Sequence, residues 1–92
     1  MTSDPTAVLT DLRTLLREAT GEDAGWADRI APHSRLEDDL GLDSVEVAEL
    51  GELLRRRYGS AVDLPAYLAG LDVDRLFAVT VADLVELVAN PR

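Results

Sequence analysis

Apolar residues recur at helical spacing in three places along the chain. Val8, Leu12, Leu15, Leu16 and Ala19 fall at three- and four-residue steps and define one buried stripe over about 5–19. Asp4 suits the N-cap of that helix, Pro5 its first position and Gly21 its stop. Val47, Leu50, Leu54 and Tyr58 repeat the pattern and predict a second helix over about 44–58, closed by Gly59. Val81, Leu84, Val85 and Val88 predict the last, over about 80–89. Thr80 with Asp83 three residues on opens it, although the usual capping-box partner is Glu or Gln, and Asn90–Pro91 stops it. Asp72 is placed to cap a short helix over about 72–77. Val79 and Val81 are β-branched, yet no alternating strand period is sustained.

The segments between are less regular. Residues 21–43 hold Gly21, Gly25, Pro32 and Gly41 without a sustained period, apart from a short turn around Trp26–Ile30. A connection of that length in a small domain is either functional or conceals an element. Trp26, Ile30, Leu36, Leu40 and Leu42 are expected to pin it to the helices, because large apolar groups left in water are costly. Pro65 opens a short turn over 66–68 that Gly70 breaks. Gly51 costs about 1 kcal/mol relative to Ala inside a helix, and is read as the mark of a closely packed neighbour. Residues 1–4 are polar and expected to fray. The expected fold is all-α: a four-helix bundle of three main helices and one short one, with a long first loop, in a single domain over 1–92.

Composition narrows the function. Nine Arg and no Lys stand against 18 acidic residues, a net charge of −9 in 92 residues. Such a chain repels phosphate backbones and anionic bilayers, which argues against nucleic-acid or membrane partners. No Cys is present, so disulfides, thiolate zinc sites and cysteine nucleophiles drop out. With one His, so does a multi-histidine metal centre. No run is long enough to span a membrane and the N-terminus lacks a signal-peptide pattern. A cytoplasmic, monomeric protein meeting basic partner surfaces is expected.

The acidity is concentrated. Between Glu37 and Glu52 the chain carries seven acids and no base. Ser44 stands where loop gives way to helix, and either Asp43 or Ser44 is suited to cap that helix. The core stripe leaves Val45, Ala48, Glu49 and Glu52 on another face, beside Ser44. That face carries small apolar groups rimmed by Glu46, Glu49 and Glu52. A merely solvated face more often mixes charge signs for local pairing; one sign beside a projecting hydroxyl suits docking to a basic partner.

The string Asp38-Asp39-Leu40-Gly41-Leu42-Asp43-Ser44-Val45 resembles the attachment signature of the carrier-protein family, of Asp-Leu-Gly-x-Asp-Ser-Leu type. That family comprises acyl carrier proteins and the related peptidyl and aminoacyl carriers, and the resemblance extends over nearly the whole chain. It implies a non-catalytic carrier with 4′-phosphopantetheine on Ser44, installed from coenzyme A by a phosphopantetheinyl transferase that supplies Mg²⁺ and base. The arm's thiol would carry acyl or aminoacyl groups as thioesters. Asp43 would orient the serine junction, Gly41 would make the tight turn and Leu42 would anchor the loop. Val45, Glu46, Ala48, Glu49 and Glu52 would meet partners: the transferase, an acyl- or aminoacyl-loading ligase, and acyltransferase or synthase domains. Departures from housekeeping fatty-acid carriers are Arg55–Arg57 at the end of the second helix, Glu52 where an apolar residue often stands, and a longer second loop with Leu64, Pro65, Tyr67, Leu68 and Leu71. They favour a discrete carrier of polyketide, nonribosomal peptide or hybrid assembly.

Two other chemistries are weaker. A Ser44–His33–Asp triad lacks the Gly-x-Ser-x-Gly elbow and its preceding strand, and Asp39, Asp43 and Glu49 do not follow the EF-hand order. The remaining rival is an unmodified acidic helical adaptor for a basic protein, with Ser44 only a helix cap.

Overall fold

The computed structural model describes residues 4–90. Six helices follow in order: α1 Pro5–Thr20, α2 Ala24–Asp28, α3 Ser44–Tyr58, α4 Leu64–Ala69, α5 Val73–Phe77 and α6 Val81–Ala89. The long helices α1, α3 and α6 fall where the apolar pattern predicts them, and the short α5 falls where Asp72 is placed to cap a helix. α2 and α4 occupy the two places where the sequence supports only turns. Each is too short to display an amphipathic period, and its signal is the cap: Asp23 accepts from the Trp26 amide and Asp63 from the Ala66 amide. Asp4, expected to fray with residues 1–3, is instead held as the N-cap of α1, where its side chain accepts from the Thr6 amide at 3.0 Å; residues 1–3 and the stop at Pro91 lie outside the described residues. The Thr80–Asp83 capping box forms with Asp in the Glu position.

α1 is the hub, packing on α2, α3 and α6, while α4 packs on α3. Leu12 and Leu16 of α1 meet Leu50 and Leu54 of α3 and Leu84 of α6 in one core, all at 0% exposure. Burying each such side chain contributes about 1.5–3 kcal/mol. Val62 and Leu64 join this core at 1% exposure, although their irregular segment gives no period from which to expect it. The reading of Gly51 holds: a Cβ there would meet Pro65 Cδ at 3.4 Å and Leu64 Cβ at 3.6 Å, so α4 lies directly on that glycine. At the far end of α3, Asp11 of α1 accepts hydrogen bonds from Arg57 and from the Tyr58 hydroxyl, each at 2.9 Å.

The long first loop is strapped down on both sides. Arg13 of α1 donates twice to the Ile30 carbonyl, at 2.7 and 3.1 Å. Farther on, the Leu36 amide donates to the Val79 carbonyl, Val81 to Ser34 and Ala82 to Pro32. The start of α6 thereby satisfies its orphan amides with loop carbonyls. Ile30, Leu36 and Leu42 are buried, and Trp26 and Leu40 pack half-buried against the core, as expected of residues that pin the loop. Among the described residues no helix is long and apolar enough to cross a membrane.

Candidate functional site

The loop ends in a small closed turn. The Gly41 amide donates to the Glu37 carbonyl and the Leu42 amide to the Leu36 carbonyl, both at 2.9 Å. Closing it requires Gly41 at φ +69°, a left-handed conformation that costs a side-chain-bearing residue about 1–2 kcal/mol. Leu42 then plunges into the core at 4% exposure, and the chain turns directly into α3.

Asp43, not Ser44, is the N-cap. Its carboxylate accepts from the Glu46 amide at 2.8 Å, and the Glu46 carboxylate accepts from the Asp43 amide at 3.1 Å. This reciprocal capping box resolves the choice that the sequence leaves between the two residues. Ser44 is the first helical residue and is exposed. Among the described residues its hydroxyl makes no hydrogen bond, and the Ser44 and Val45 amides have no acceptor.

Beside Ser44 opens a cleft of about 330 Å³, bounded by the loop, α3, α4 and α5. Leu36, Leu42, Val47, Leu68, Leu76 and Val79 form its apolar walls, and Glu37, Asp43 and Ser44 contribute polar edges. Sequence reasoning finds Ser44, Asp43 and Leu42 but misses Leu68, Leu76 and Val79, which arrive from more than twenty residues away. Leu76 lies among exposed apolar residues of α5, with Val73 and Phe77, an exposure that only the fold reveals. His33 is exposed and lines a different hollow with Trp26 and Asp39, so the cleft at Ser44 holds no serine–histidine pair.

The three acids expected to rim Ser44 have three different occupations. Glu46 is half-buried and held in the capping box. Glu52 pairs with Arg55 at 3.6 Å and with Arg56 at 3.8 Å. Glu49 is exposed and, among the described residues, joins no ion pair. Val45 at 74% exposure and the exposed Ala48 complete the outer face with Glu49 and Glu52.

This arrangement suits a phosphoester. A primary hydroxyl with no structural duty sits at the start of a 15-residue helix, where free amides and the helix dipole favour negative charge. The adjacent apolar cleft provides a surface against which a long flexible substituent can lie. A comparison with protein families finds the phosphopantetheine attachment site, whose family model matches residues 10–88. No significant match is found among curated proteins or among solved structures.

Proposed function

The chain belongs to the phosphopantetheine-attachment family, carriers without catalytic activity of their own that hold 4′-phosphopantetheine covalently, typically on a serine, and on that premise we propose that Ser44 is the attachment residue. The observation that carries this is the division of labour at the helix start. Asp43 supplies the cap, which leaves the Ser44 hydroxyl exposed and unengaged. An adaptor whose serine served only as a cap would need that hydroxyl on the Glu46 or Val47 amide; those amides go to the Asp43 side chain and carbonyl.

When bound, the arm supplies a terminal thiol that holds cargo as a thioester, which reconciles thioester chemistry with a chain that has no Cys. The protein's own residues present and position. The capping box fixes the backbone at Ser44, and Gly41 and Leu42 fix the approach of the loop. Family members work with a phosphopantetheinyl transferase and with synthase or ligase partners; here Val45, Ala48 and Glu49 form the face offered to them. Rim charges of this kind act on association rate more than on affinity, which suits a carrier that must release each partner.

The preferred setting is polyketide assembly, or a hybrid of polyketide and nonribosomal peptide assembly, in the cytoplasm. Arg55–Arg57, Glu52 and the segment that forms α4 support it as departures from housekeeping fatty-acid carriers. Incubation with coenzyme A and a broad-specificity phosphopantetheinyl transferase, followed by intact-mass analysis, tests the attachment. One phosphopantetheine increment is expected, absent from Ser44→Ala. An unchanged wild-type mass with several such transferases would favour the unmodified adaptor.

A further inference from the structure

The outward stripe of α3 changes sign along its length. At about 100° per residue, Val45, Glu49, Glu52 and Arg56 line up on one side of the helix, flanked by Ala48 and Arg55. The opposite side is the core, with Leu50 and Leu54 at 0% exposure. Near Ser44 the stripe is apolar and then acidic, with Glu49 unpaired among the described residues. Two turns on it is basic, because Arg55 and Arg56 share the single carboxylate of Glu52. The third arginine is not part of this: Arg57 turns toward α1 and bonds Asp11.

The macrodipole favours a cation in the last turn, and Arg57 already supplies one. It does not call for two more on the exposed stripe. Nor do the Glu52 pairs consume them. Their side chains are 52% and 71% exposed at 3.6 and 3.8 Å, a geometry that contributes little in water and exchanges readily for another carboxylate.

We propose that α3 docks a protein partner bearing a charge-segmented strip: an apolar patch over Val45 and Ala48, a basic group facing Glu49, and a carboxylate facing Arg56. From the helical rise, the two charges stand about 10 Å apart. The distal arginines repel a partner whose strip is basic throughout, so the stripe sets docking polarity and rejects wrong partners by like-charge contact. This deepens the partner face proposed above for Val45, Ala48 and Glu49 and rests on that reading, though not on attachment at Ser44.

The test uses two stapled helical peptides of identical composition. One carries its arginines at one end and its glutamates two turns on; the other alternates them. Both are titrated at low salt into the isotope-labelled chain, with and without Ser44→Ala, and followed by amide NMR. The segmented peptide is expected to bind about threefold or more tightly, with shifts along α3 from Val45 to Arg56. R55Q/R56Q, which keeps the helix and removes the distal charge, is expected to abolish the preference. Equal binding of the two peptides, shifts elsewhere on the surface, or a preference that survives R55Q/R56Q would overturn the proposal. The outcome in Ser44→Ala separates it from the attachment reading, which the mass experiment alone decides.

Discussion

Asp43 and Glu46 hold each other across the start of α3, each carboxylate accepting the other's amide, at 2.8 and 3.1 Å. Both residues serve Ser44, which lies between them, without touching its hydroxyl. Asp43→Ala therefore removes an N-cap while leaving the nucleophile in place. The expected cost is about 1 kcal/mol, read as a fall of roughly 4–8 °C in Tm for a domain of this size. The rate of arm transfer to Ser44 is expected to fall as well, because the first turn frays. Asp43→Asn, which keeps an acceptor, is expected to recover most of the stability. A thermal melt and a transferase time course on the two variants check this.

At the other end of α3, the Tyr58 hydroxyl donates to Asp11 and is pushed above its ordinary pKa of 10.0, first by burial and then by that hydrogen bond. The folded protein thus holds this proton more tightly than the unfolded chain does. The stabilisation is complete below about pH 10 and is lost as pH rises from there through the folded value. Unfolding midpoints are expected to decline over that alkaline range. In Tyr58→Phe the decline is expected to be shallower, from a starting stability lower by about 1 kcal/mol for the lost hydrogen bond. Denaturant titrations at neutral and alkaline pH distinguish the two slopes.

Gly51 gives a prediction with a change of sign. An added methyl meets Pro65 Cδ at 3.4 Å and Leu64 Cβ at 3.6 Å, ordinary contact distances. Gly51→Ala is therefore expected to be neutral or to stabilise by up to about 1 kcal/mol through helix propensity. Gly51→Leu has no room under α4 and is expected to destabilise by about 1–3 kcal/mol. Denaturant midpoints for the pair decide whether α4 lies as close as described.

These residues also mark how far the sequence is legible. Stripes such as Val8–Leu12–Leu15–Leu16 announce their helices because each is long enough to repeat its period. α2 and α4 complete barely one turn, so only terminal signals mark them, Asp23 for α2 and Asp63, Pro65 and Gly70 for α4, and these residue types are common in loops as well. Ser44 and Asp43 are legible because a short motif and a helix start coincide there. Which of them caps is a matter of side-chain torsion and needs coordinates. Leu68, Leu76 and Val79 reach the cleft by tertiary packing from another part of the chain, which no local pattern encodes. The acids near Ser44 look equivalent in sequence, yet a capping box, two arginines and open solvent give Glu46, Glu52 and Glu49 separate occupations.

That separation makes Glu49 the informative acid to reverse. It is exposed, one turn beyond Ser44 on the outer face, and free of ion pairs among the described residues, so Glu49→Arg disturbs neither the capping box nor the core. Stability is expected to stay within about 0.5 kcal/mol of wild type, as for surface substitutions generally. Partner encounter is expected to suffer instead. Transfer of the arm by a phosphopantetheinyl transferase should slow on the order of three- to tenfold at low salt, mainly through kcat/KM, as reversal of a steering charge demands. The deficit should narrow as ionic strength rises and the Debye length shrinks to about 8 Å at 0.15 M. Glu46→Arg should behave oppositely, losing stability through the broken capping box, with a transfer defect less sensitive to salt. Kinetics for both variants at two salt concentrations, beside their melts, separate docking from folding; unaltered low-salt kinetics in Glu49→Arg would remove Glu49 from the docking face.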